Sequence, residues 1–261
     1  MSFARSSHAP QKRNAIKTST RKKVKKVKDR MSGNLEHGDT NTTTRPLYMN
    51  RLIAPFLSRA QRALLASAQR EGRLREIQRV ELLDPQQLPQ LARQSLQLLL
   101  ASGLAFIALN VVARITHGSG PLLGAGSPLA RGALLITTNI AAYALMIPIH
   151  EALHATIIIG LGGHPRFGLK LPFAAYCTAP DQLFTRNGYI VVALAPLVGL
   201  TLAGAALTWF APDLGACLLF GLAGNVAGAV GDLATVARLR RIPSSALISD
   251  TQDGYTAYSA E

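Results

Sequence analysis

Two histidines four residues apart, His150 and His154, lie in the run IHEALHATIIIGLGGHPRFG, with Glu151 beside the first of them. On a helix, positions i and i+4 stand on adjacent turns of one face, so both imidazoles can reach a single ion. A tetrahedral Zn2+ accepts such a pair. Glu151 then points beside the metal rather than at it, where it can take a proton from an activated water and hand it to a leaving amine. This is the HExxH pattern, and the chemistry accounts for each of its fixed positions.

The chain has six histidines and six glutamates among 261 residues, so chance alone supplies only about 0.003 such patterns. The surroundings sharpen the signal. A lone buried histidine is usually a hydrogen-bonded core residue. Three ionisable groups within five residues of an apolar run each cost a few kcal/mol in a bilayer unless paired or metal-bound. The competing reading is three polar residues satisfied inside a helix bundle.

A catalytic zinc takes three protein ligands and keeps one position open. The third ligand must come from elsewhere in the chain. His164 follows His154 by ten residues, beyond the helix and in a Gly-Gly turn. Asp181 sits in the polar stretch TAPDQLFTRN, where a turn or cap role is the simpler one. Asp232 is favoured, because it is the only acid in the apolar stretch Ala216 to Ala237 and a bare carboxylate there needs a cation. Asn225 lies seven residues earlier on the same helical face, as a candidate to orient a substrate or oxyanion, or simply to bond between helices. Gly221, Gly224, Gly228 and Gly231 around it read as packing positions that let a neighbouring helix approach.

The elements that must position these residues are membrane helices. Four apolar stretches, Gln94 to Ala113, Gly132 to Gly160, Tyr189 to Phe210 and Ala216 to Ala237, each approach the ~20 residues needed to cross a bilayer. Hydrophobic residues make up 48% of the chain and charged ones 16%, and the net charge of +14 is concentrated at the N-terminal end. A basic head on a nearly uncharged body is a membrane protein's distribution, not that of a basic soluble domain. Pro148, one turn before the ligands, has no N–H for the carbonyl of Ala144; it either loosens the helix to admit water or is tolerated for packing alone.

The expected architecture is an all-α membrane protein of about four transmembrane helices. Residues Phe167 to Cys177, β-prone but broken by Gly168 and Pro172, would form a short β-hairpin or re-entrant loop after the HExxH helix. Such a segment could bind substrate as an added strand or merely connect. Residues 1–49 read as a disordered basic tail, in which RKKVKKVKDR could touch anionic lipid or nucleic acid or simply be solvated. Residues 50–93 read as an amphipathic helix on the membrane surface. Residues 94–241 form the transmembrane domain, and 242–261 a polar C-terminal tail. Four crossings put both ends on one side, and the basic head with Arg238, Arg240 and Arg241 makes that side cytoplasmic, in a bacterial inner membrane. No apolar core with a cleavage site marks a leader. Two cysteines, Cys177 and Cys217, give no disulfide framework.

The stretches HEALHATIIIGLGGHPRFG, AAYCTAPDQLFTRNGYIVVALAPLVGLTL and NVAGAVGDLA resemble the zincin peptidases of the DUF3267 family, distant relatives of the site-two protease class of intramembrane metalloproteases. The resemblance covers roughly Ile140 to Ala237. It implies zinc ligation by His150, His154 and Asp232 and a base role for Glu151. Site-two proteases carry a longer Asn-Pro…Leu-Asp-Gly box, whereas here no proline follows Asn225 and no glycine follows Asp232. The expected activity is hydrolysis of peptide bonds in or near the bilayer, with Zn2+ as cofactor. The expected partners are the lipid bilayer and a membrane protein or peptide substrate, with no nucleic acid. The alternative is a non-catalytic, metal-binding membrane scaffold that has inherited the motif. Its weakness is that nothing in a structural zinc site requires Glu151.

Overall fold

A computed structural model describes residues 63–259 apart from 64, 66, 69, 83, 121, 125, 171–173, 181 and 253. The expected disordered tail over 1–49 and the candidate Asp181 lie outside the described residues. Within them, β1 (Arg75–Glu81) precedes two long helices, α1 (Leu88–Thr116) and α2 (Pro128–Gly160). The hairpin β2 (Arg166–Lys170) and β3 (Ala174–Thr178) and the short β4 (Leu183–Thr185) lead into α3 (Arg186–Phe210). The chain finishes with α4 (Pro212–Gly228), α5 (Val230–Leu239), β5 (Leu247–Thr251) and β6 (Gly254–Ser259).

Four helical spans are long and apolar enough to cross a membrane, the last being α4 and α5 together. Their outward faces carry Leu104, Ile115, Leu129, Ile136 and Ile140, each more than 60% exposed. Water would not tolerate such a surface, but lipid does. The helices begin where sequence chemistry starts them. Ser127 accepts the Ala130 N–H at the head of α2, with Pro128 in the first turn, and Thr185 accepts the Gly188 N–H at the head of α3. At 33 residues, α2 runs unbroken through Pro148 for about 50 Å.

In lipid the helices are joined by close packing and polar ties rather than by hydrophobic exclusion. α4 is the hub. Ser95 of α1 donates to the Ala227 carbonyl at 3.0 Å. Asn139 of α2 donates to Ala216 and accepts from the Phe220 N–H, at 2.9 and 2.7 Å. A Cβ at Gly221 would press on the Ala142 backbone, and one at Gly224 on the Tyr143 ring. These two glycines therefore seat α2 against α4, in line with their reading as packing positions.

The antiparallel sheet β1-β6-β5-β4 gathers, at one end of the bundle, the segment before α1, the α2–α3 connection and the segment after α5. A buried core joins it to the helices through Ile158, Leu161, Tyr189, Val192, Leu239, Ile248 and Tyr255. Two boundary expectations are corrected here. Within 50–93, residues 63, 65, 67, 68 and 70 are helical, but Arg75–Glu81 is a strand paired with β6. The polar tail at 242–261 instead supplies β5 and β6, in which Leu247, Ile248, Tyr255 and Ala257 are fully buried. The cause is the same in both: β1 and β6 hold each other across more than 170 residues, as Tyr255 facing Val80 illustrates, and β5 is fixed between β6 and the distant β4.

Asp250 of β5 is the polar clasp of this junction. It accepts the Tyr189 hydroxyl at 2.6 Å and the Ala179 N–H at 2.8 Å. Burial still holds its carboxyl above the usual carboxylate range. Asp250→Ala leaves both donors without an acceptor, and is expected to destabilise by about 2–4 kcal/mol. Asp250→Asn keeps an acceptor for Ala179 and removes the charge. Because the folded-state value is raised, the carboxyl favours folding below its unfolded value and loses that contribution as pH rises. Thermal melts in detergent should therefore show the Asn variant gaining on the wild type as pH rises above about 4.

Candidate metal centre

The fourth span breaks at Ala229, so that α5 starts afresh and Asp232 falls in its first turn. The unpaired N–H groups there favour an anion. The break turns Asp232 toward the end of α2. His150 Nε2 lies 3.2 Å from Asp232 Oδ2, and His154 Nε2 lies 3.6 Å from Asp232 Oδ1. One ligand atom from each of the three residues lies within 4.8 Å of the others. His154 is buried, and His150 and Asp232 are half-buried.

The rings are fixed from behind. His150 Nδ1 is 2.9 Å from Asn225 Oδ1, and His154 Nδ1 is 2.9 Å from the Val192 carbonyl. Both partners only accept, so both Nδ1 atoms carry a proton and each ring turns its Nε2 toward Asp232. With the rings neutral, two imidazole lone pairs and a carboxylate converge with no donor among them. That arrangement needs protons or a cation. The donor set suits zinc, since ligands at ~2.1 Å on a tetrahedron stand ~3.4 Å apart, close to the two separations observed.

Asn225 is buried, its carbonyl oxygen taken by His150 and its amide 3.4 Å from the Pro196 carbonyl. That places it behind the His150 ring, where partners of metal-bound histidines stand, and it also borders a smaller cavity shared with His150 and Glu151. His164 is exposed, bonded through its backbone N–H to Gln182, and stands outside the group.

Glu151 is half-buried beside the three and accepts a hydrogen bond from the Cys177 backbone N–H. Both face a cavity of about 520 Å³ walled by the start of α1, the HExxH turn, β3, α3, the α4–α5 break and the β5–β6 hairpin. Leu91, Ala175, Val192 and Ala193 make much of that wall apolar. Cys177 also lines it, but burial, with the nearby Glu151 and Asp250 charges, pushes its thiol up to about 12. It is therefore no rival nucleophile near neutral pH.

Sequence reasoning missed the wall contributed by the C-terminal hairpin, through Asp250, Thr251, Gln252 and Gly254. It also missed the acceptor behind His154. For the latter a signal existed: Pro196, a second proline inside an apolar span.

No curated protein and no solved structure matches the chain. Residues 143–247, which hold both histidines, Glu151, Asn225, Asp232 and every helix after the middle of α2, match the model of the DUF3267 family, described as "Putative zincin peptidase".

Proposed function

We propose that this chain is a membrane zinc metallopeptidase that hydrolyses a peptide bond at the end of the bundle where the sheet sits. One observation carries the reading: two histidine lone pairs and a carboxylate meet, with the HExxH glutamate beside them and a cavity open to all four. His150, His154 and Asp232 would hold the ion. When bound, zinc acts as a Lewis acid on a carbonyl and lowers the pKa of water. Glu151 takes the proton of the attacking water at its carboxylate and delivers it to the departing amine nitrogen. The Cys177 N–H holds that carboxylate in place meanwhile. Among the described residues β3 is paired only with β2, and it lines the cavity, so an extended substrate adds along it as a strand.

The site lies on α2 about ten residues, or about 15 Å, before the helix end, so cleavage falls near one membrane face. The basic residues at that end, Arg238, Arg240 and Arg241, favour the cytoplasmic face of a bacterial inner membrane. Purified in detergent, loaded with zinc and dialysed, the protein should retain one zinc per chain. It should cleave a membrane-anchored reporter peptide, and 1,10-phenanthroline should stop the cleavage. Zinc retained without any cleavage would support a scaffold, and no zinc would overturn the reading.

A further inference from the structure

We infer that Pro196, in the middle of α3, is a positioning residue that sets the tautomer and aim of His154. The inference rests on reading His154 as a ligand. An α-helix pairs each carbonyl with the N–H four residues on, and proline has no N–H. Pro196 therefore frees the carbonyl of Val192, a residue only 5% exposed. A buried carbonyl without a partner costs free energy, so a donor is drawn to it. The donor that arrives is His154 Nδ1, at 2.9 Å.

The consequence passes through the ring. With its proton held on Nδ1, His154 keeps Nε2 bare and directed at Asp232. The same proline also stands behind the other histidine: Asn225 Nδ2 is 3.4 Å from the Pro196 carbonyl while Asn225 Oδ1 takes the His150 Nδ1 proton. One residue thus backs both imidazoles, through the Val192 carbonyl for one and through the Asn225 amide for the other.

Prolines in membrane helices also serve packing alone, and this chain supplies the comparison. Pro148 of α2 frees the carbonyl of Ala144, but both residues are exposed on the outer face of the helix. The two prolines break the same kind of backbone bond; only Pro196 breaks it behind a histidine.

The test uses the full chain in detergent, with Pro196→Ala and Pro148→Ala side by side. An alanine at 196 supplies the missing N–H to Val192 and competes with His154. Zinc affinity, measured by chelator competition, should weaken about 10–100-fold in Pro196→Ala and stay within about twofold of wild type in Pro148→Ala. In metal-free protein labelled with 15N-histidine, and held alkaline enough that the ring is neutral, the wild-type His154 ring should be the Nδ1–H tautomer and the Pro196→Ala ring a mixture. Equal weakening in both variants means general softening of the bundle and overturns the inference. So does unchanged affinity in Pro196→Ala, or a neutral wild-type His154 ring whose single proton sits on Nε2. The last measurement needs neither a folded variant nor bound zinc. Failure of the wild type to bind zinc would remove the metallopeptidase reading, and the tautomer would still decide this one.

Discussion

His154→Ala is expected to strip zinc from the protein, raising its dissociation constant by more than about 100-fold, beyond the span that loss of a supporting partner produces. The variant removes one ligand of three. It also deprives the buried Val192 carbonyl of its donor, and leaves Asp232 facing a single imidazole. A modest loss of stability accompanies this, of about 1–3 kcal/mol for the orphaned carbonyl, so a melting curve should be recorded beside the zinc titration. Asp232→Asn probes the third position with little change of shape. It keeps an oxygen near the histidines but gives up the charge, and should weaken zinc by at least about tenfold. If either variant binds zinc as the wild type does, the ion is held elsewhere and the assignment fails.

Glu151→Gln separates holding the metal from using it. The glutamate stands outside the group of converging ligand atoms, so zinc affinity should stay as in the wild type. A glutamine oxygen can still accept the Cys177 N–H, so the fold and the cavity should persist. What disappears is the proton acceptor, and general acid–base groups of this kind are worth about 10²- to 10⁴-fold in rate. The measurement is single-turnover cleavage of a reporter peptide by zinc-loaded protein. Undiminished cleavage would place the base elsewhere, and loss of zinc would make Glu151 a ligand.

How much of this could be read from the residues in order depends on how far apart the partners lie. His150, Glu151 and His154 are covalent near-neighbours, and helical geometry alone puts them on one face. Asp232 lies 82 residues from His150, and could be reached only by asking why an acid sits in an apolar span. That question leads to the acid that the fold sets beside both histidines, but not to the break at Ala229 that places it there. Asn225 stands out by sharing a helical face with Asp232, while its bond to His150 needs the packing of α4 on α2. Pro196 was passed over because a proline in a span has an ordinary explanation, and the histidine that uses its freed carbonyl is on another helix. The strands fared worst. REIQRVE alternates charge and aliphatic residues in a way that suits a membrane-surface helix equally well. Only its pairing with GYTAYS decides between them, and that pairing cannot be seen in either segment alone.

The sheet has a consequence for how the molecule is made. β1 leaves the ribosome before the first membrane helix, β4 between the second and third, and β5 and β6 only after the last. β6 is the strand that joins β1 to the others, and its hairpin with β5 forms one wall of the cavity. During synthesis the HExxH turn is therefore already in the bilayer while that wall has yet to be translated. A nascent chain carries His150, Glu151 and His154 before Asp232 and the surrounding wall exist, and the cavity is completed only when β6 pairs with β1.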